Sequence, residues 1–301
     1  MAGAIPSKGG TSVLSVGLRL AVGIALVTVV LQGWRYSYRS VQAEYIGTDA
    51  ARLSEKPGME SVALAQLRSA LRIMPENPEN MTRHAVIQLQ MEHNKAKVGS
   101  FRAMSQATLD EALGTLEKTR YSTVSPSNVE RKLAEVNAML SGVMDSVGRK
   151  EDSAAYAEKA AFHSQEFLGL MGKPETDALL FYTSAVRRAY QADRHDLVLF
   201  FYDHCRQNFP KTAANFGPDL QLVNRSRLVI GESPVMMASV MGQLRERPRD
   251  PRLIGDLVLA GLSYGRAREA VLVLEDLDRR APLPAEVQTY LEQLRRISAP
   301  K

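Results

Sequence analysis

Displaced along itself by 207 residues, the sequence lays Gly58 on Gly265, Ala63 on Ala270, Leu67 on Leu274, Ala70 on Leu277 and Pro75 on Pro282. Each of these residue types does a definite job when one helix follows another. A glycine between helices takes a backbone shape that residues with a Cβ resist. An alanine at a helix crossing lets two backbones approach closely. A proline cannot continue a helix and sets where the next unit begins. A sequence that repeats this set is built from helix pairs.

"GRKEDSAAYAEKAA" (148–161) carries the same pattern with one extra residue in the turn. "YTSAVRRAYQADRHDLVLFFYDHCRQNFP" (182–210) carries it with Asp193 in place of the turn glycine and Val198 in place of the alanine. Ile254, Leu257, Gly265, Ala270, Leu274 and Pro282 stand in the order seen in the tetratricopeptide (TPR) repeat, a helix–turn–helix unit of 34 residues. The protein resembles that family. The resemblance implies an all-α fold, a right-handed TPR-like α-solenoid of helix pairs. Pairs are expected at 46–56 with 60–74, 79–96 with 106–121, 126–147 with 151–170, 175–192 with 195–208, 218–230 with 234–246 and 251–264 with 266–280, closed by a helix at 285–297. Ser125-Pro126, Ser233-Pro234 and Asp250-Pro251 read as N-caps followed by proline, and Thr108-x-x-Glu111 as a capping box. "LVLFFY" (197–202) has strand composition, but its flanks sit in the repeat register and the segment is read as helix. Between Pro75 and Pro174 the units stretch well past the family length, so local geometry there departs from the pattern.

Composition agrees. Hydrophobic residues make up 45% of the 301 but aromatics only 6%. Alanine, leucine and methionine therefore carry the core, as suits closely packed helices. The net charge of +5 (38 basic minus 33 acidic) is too mild for a nucleic-acid surface. Cys205 is the only cysteine, so no intrachain disulfide forms.

The N-terminus breaks the pattern. Leu20–Leu31 is unbroken by charge, and with Arg19 tolerated the stretch 13–34 would rise about 33 Å as a helix, enough to cross hydrocarbon. Arg19 sits near one end, from which its side chain snorkels to the headgroups. Trp34, Tyr36, Tyr38, Arg35 and Arg39 form an aromatic and basic girdle at the other. The expected organisation is a polar tail at 1–12, a membrane anchor at 13–34, a juxtamembrane linker at 35–45, the repeat domain at 46–297 and a tail at 298–301. A cleaved signal peptide ending near Val41-x-Ala43 and a buried soluble helix are the competing readings. Basic residues flank both ends and barely separate the two orientations; the preferred one places the repeat domain on the non-cytoplasmic side, as in a bacterial inner-membrane protein facing the periplasm. Gly17, Ala21 and Ala25 form a small-xxx-small row of the kind that lets spans dimerise, or are ordinary small-residue content.

Catalytic and metal motifs are not recognised. "GVMDSVGRK" (142–150) has the wrong spacing for a phosphate loop and reads as a helix ending in a turn. In "YDHC" (202–205) adjacent residues point about 100° apart on a helix and do not converge, and Cys205 falls at the position of Ala70. His163-x-x-Glu166 is an exposed-looking pair. "RERPRDPR" (245–252) reads as a solvated loop, or as a patch for anionic lipid or an acidic partner. No catalytic, cofactor or metal residues are expected, and no enzyme activity.

The expected role is a membrane-anchored scaffold or adaptor of the cell envelope whose solenoid binds partner proteins; the alternative is a permanent structural subunit of a membrane complex. Counting back from the exit prolines in family register places Arg187, Arg225 and Arg252 on the concave side. Bidentate guanidinium groups there would suit an acidic segment or the free carboxyl terminus of a partner, unless the three are plain surface arginines.

Overall fold

The computed structural model describes residues 13–174, 177–280 and 282–299, without the side chains of 13–17, 97 and 98. Residues 1–12, 300 and 301, assigned above to the terminal tails, lie outside it. Every regular element among the described residues is helical: α1 (Val13–Ser54), α2 (Glu60–Ile73), α3 (Pro78–Val98), α4 (Gln106–Thr119), α5 (Pro126–Ser146), α6 (Lys150–Met171), α7 (Ala178–Gln191), α8 (His195–Asn208), α9 (Pro210–Ala214), α10 (Leu220–Val229), α11 (Ser233–Glu246), α12 (Pro251–Ser263), α13 (Ala267–Arg280) and α14 (Ala285–Ser298). Short 3-10 turns occupy Phe101–Ala103 and Gly217–Asp219. The protein divides into two compact units, one up to Met91 and one from Glu92 onward.

In the first unit, α1 is continuous over 42 residues. The stretch 35–45, expected to link an anchor to the first repeat helix, is helical and part of α1. Between Trp34 and Ile46 there is no glycine or proline to interrupt it. Its described N-terminal half is exposed through residue 39, and α1 is, among the described residues, the helix long and apolar enough to cross a membrane. Further along, Ala43, Gly47 and Ala50 form a buried stripe, and a small core joins Ala50 to Ala63, Leu64 and Leu67 of α2 and Ile87 of α3.

A local device recurs through both units. The turns α1/α2, α5/α6, α7/α8, α10/α11 and α12/α13 each contain one residue in the left-handed region: Gly58, Gly148, Asp193, Gly231 and Gly265, with φ from 58° to 87°. Five and nine residues after each, the side chain is buried: Ala63 and Leu67, Ser153 and Ala157, Val198 and Tyr202, Met236 and Val240, Ala270 and Leu274. Asp193 adopts the glycine conformation, which short polar side chains tolerate better than others. "LVLFFY" lies within α8, where Leu197, Val198, Phe201 and Tyr202 face the core. The α3/α4 connection lacks the device.

Two start signals move. α4 is capped by Ser105, whose hydroxyl accepts from the N–H of Thr108 at 3.3 Å, so Thr108 is inside the helix and not its cap. The cause is Glu92, buried, which accepts the Ser105 N–H at 2.7 Å and fixes the backbone there. Ser233 is the first residue of α11 and Glu232 its cap. Asp250 caps α12 as expected, accepting from Arg252 N–H at 3.0 Å.

Candidate functional site

In the second unit, α10, α12, α14 and the loop before α14 enclose a groove of about 750 Å³. Ile254, Val258 and Leu262 of α12 line its floor, one to two turns apart on one helix face. Val287 and Tyr290 of α14 close one side. Arg225 of α10 and Arg249 of the α11–α12 loop stand on the rim, and Glu286 is the acidic residue of the lining. Among the described residues, no carboxylate lies at ion-pair distance from either arginine.

Beneath the rim lies a buried polar pair. Asn224 donates from Nδ2 to Oδ2 of Asp256 at 2.9 Å. Burial pushes the Asp256 carboxyl up to about 6, against the opposing effects of Asn224 and nearby Arg225. The Oδ1 of Asn224 has no hydrogen-bond partner.

The three arginines singled out from the sequence do not share one surface feature. Arg225 lines the groove, but Arg252 is absent from its lining, where Arg249 supplies the second guanidinium. Arg187 of α7 grips Asp219 bidentately, Nε to Oδ1 at 2.6 Å and Nη2 to Oδ2 at 2.9 Å. Asp219 is nearly buried at 5% exposure, so this fork pins the entry of α10 to α7. Sequence counting missed the pairing because Asp219 is 32 residues away. Arg249 sits in the arginine-rich run 245–252, whose ends belong to α11 and α12 so that the loop is only 247–250, and that charge run was the available signal. Gly17, Ala21 and Ala25 all lie in α1; Ala21 and Ala25 are exposed, and the surroundings of Gly17 are outside the described residues.

His163 is not exposed. At 7% exposure it pairs through Nδ1 with buried Glu130 at 2.8 Å, while Glu130 also holds Arg120, whose guanidinium reaches Glu166 at 3.7 Å. This cluster ties α4, α5 and α6 together. In the "YDHC" stretch, Nδ1 of His204 pairs with the Tyr182 hydroxyl at 2.7 Å. Burial pushes Cys205 up to about 11, so its thiol is protonated at neutral pH and a poor nucleophile. Among the described residues no three histidine, cysteine or acidic side chains stand close enough to hold a metal ion.

No protein-family model matches the sequence, and no curated protein matches it.

Proposed function

We propose that this protein is a membrane-anchored, TPR-like helical scaffold that captures partner proteins through the groove beside α12. The observation that carries this reading is the groove itself, an apolar floor with two rim guanidinium groups that have no carboxylate at ion-pair distance among the described residues. Such a surface suits a partner segment that brings both apolar side chains and acidic ones. The exposed apolar half of α1 supports the anchor, with Trp34 and Tyr38 stacked at 6.1 Å where a headgroup belt would lie. The recurring left-handed turn, followed at fixed distances by buried residues, supports a solenoid of related helix pairs. The preferred placement is the non-cytoplasmic face of a bacterial inner membrane. The test is cross-linking in intact membranes with identification of the captured proteins. Capture should vanish in the Arg225→Glu/Arg249→Glu double variant; unchanged capture by that variant would overturn the reading.

Permanent assembly into a larger complex is the second reading. It draws on apolar side chains left in solvent on other faces, among them Leu180 at 66% and Leu272 at 59% exposure. Native gel filtration of detergent extracts separates the two, since a subunit stays in a large particle and an adaptor elutes largely free.

A further inference from the structure

We infer that the groove beside α12 receives an amphipathic helix of the partner protein, with acidic side chains at the end that reaches Arg225 and Arg249. The inference deepens the groove reading above and rests on it.

The wall of the groove has the relief that a facing helix requires. Ile254, Val258 and Leu262 form one row at four-residue spacing, and Gly255, Leu259 and Ser263 form a second row beside it. Rows at this spacing are ridges, and the furrow between two of them takes a ridge of a second helix at an axis distance of about 8–10 Å. Gly255 makes the approach close. It lies inside α12, it is exposed, and a Cβ there would meet nothing within 4 Å. A glycine inside a helix is destabilising relative to alanine, and no contact among the described residues requires this one. On the groove wall its bare backbone lets another helix come near, as small residues do where helices cross. From Ile254 to Leu262 the wall rises about 12 Å, a little over two turns of the occupant.

An extended segment would draw its affinity from main-chain hydrogen bonds supplied by its host. Along the wall the groove supplies few. The middle of α12 has its N–H and C=O groups committed to its own helix. In the loop before α14, Pro282 and Pro284 have no N–H, and the N–H of Leu283 already donates to Oδ1 of Asp278 at 2.8 Å. A helix brings its backbone already paired and needs only the apolar furrow. Charge sets its ends. Arg249 precedes α12 by two residues and Arg225 lies near Asp256, so both guanidinium groups belong to the N-terminal end of the wall. With Glu286 as the acidic residue of the lining, two positive charges stand against one negative. The complement is a helix with an apolar stripe and acidic side chains at one end.

The test is photo-cross-linking of the full-length protein in native membranes, with a benzophenone amino acid placed at Leu262 or at Tyr290, which are 36% and 44% exposed. Mass spectrometry then locates the attachment points on the captured chain. Each position should mark one segment of the partner at residues three or four apart, and that segment should carry Asp or Glu at one end. Gly255→Leu should reduce the cross-linked product about tenfold without lowering the melting temperature, since leucine favours a helix and fills the space of the close approach. Attachment points two residues apart, as on an extended chain, overturn the inference and leave the groove reading standing. So does a marked segment without acidic residues, and so does undiminished capture by Gly255→Leu. If neither position attaches a protein, the groove reading falls and the inference falls with it.

Discussion

Asn80 reaches the backbone of α1 where Gly47 leaves room for it. Its Nδ2 donates to the carbonyl of Ala43 at 3.0 Å, and a Cβ on residue 47 would lie 1.8 Å from its Oδ1. Asn80 is fully buried and its Oδ1 also accepts from Arg83, so it cannot swing aside without orphaning polar groups. Gly47→Ala should therefore destabilise the protein by about 1–3 kcal/mol through overpacking and lost hydrogen bonds. Gly114→Ala is the control. Nothing lies within 4 Å of a Cβ there, and helix propensity alone should stabilise by about 0.5–1 kcal/mol. Thermal unfolding followed by circular dichroism reads both; equal effects would mean that the close approach at Gly47 does not exist.

The alanines that mark the repeat in the sequence sit where packing demands them. Ala63, Ala70 and Ala270 are all fully buried. Ala70→Arg puts a charge and added volume into such a site, and should cost more than the ~1–3 kcal/mol of overpacking alone because the guanidinium has no partner there. An unchanged melting temperature would contradict the burial.

Five of the six expected helix pairs were legible because local spacing encodes them, an apolar stripe and a left-handed turn with a buried residue five positions later; the expected pair of 79–96 with 106–121 has no such turn. Even the substitutions at Asp193, Val198 and Cys205 kept the pattern, and Cys205 is buried like the Ala70 it replaces. What stayed hidden is tertiary. Glu92 moved the start of α4 by holding Ser105, and Asp219 occupied the fork of Arg187; neither partner is marked by any local spacing. His163 looked exposed because the buried Glu130 that receives it is 33 residues away in the sequence. The continuity of α1 followed from what is missing, a breaker between Trp34 and Ile46, which is easily overlooked when a polar stretch after an apolar one suggests a linker.

Glu130 is the anchor of the Arg120–Glu130–His163 cluster. It is 3% exposed, so removing it leaves the imidazole without its acceptor and the guanidinium with only the longer contact to Glu166 at 3.7 Å. Glu130→Ala should cost about 3–5 kcal/mol, the range for breaking a buried pair on one side. By contrast Asp145→Ala, which loses an exposed contact to Lys150, should change stability by less than about 1 kcal/mol. Urea unfolding of both variants checks the contrast; similar midpoints would argue against the cluster.

Asp256 should make stability depend on pH in an unusual direction. Its folded value is raised from 3.8 to about 6 by burial, so the folded state binds more protons than the unfolded state across that interval. Stability then falls as pH rises from about 4 to 6, and the penalty is fully present above it. Asp256→Asn removes the penalty and gives the orphaned Oδ1 of Asn224 an amide donor within reach. The variant should be more stable than the parent by roughly 3 kcal/mol at pH ~7.5, since one pKa unit corresponds to about 1.4 kcal/mol. Below pH ~4 the two should converge. A variant less stable than the parent at neutral pH would mean that the ionised carboxylate is favoured where it stands.

The arginines separate a binding role from a structural one. Arg225 and Arg249 line the groove with no carboxylate at ion-pair distance among the described residues, and Arg225 acts on the Asp256 carboxyl only at longer range, so reversing their charge removes little that holds the fold. Arg187 holds nearly buried Asp219 with two hydrogen bonds, so Arg187→Glu sets a carboxylate against a carboxylate. Arg225→Glu with Arg249→Glu should abolish partner capture from intact membranes and leave the melting temperature within about 1–2 °C, as for surface substitutions worth under about 0.5 kcal/mol. Arg187→Glu should lower the melting temperature by several degrees, corresponding to roughly 2 kcal/mol or more once the 60% exposure of its side chain is allowed for. The two readouts must split in this way. If Arg187→Glu leaves stability untouched and abolishes capture, then Arg187, and not the pair on the groove beside α12, is the residue that meets the partner.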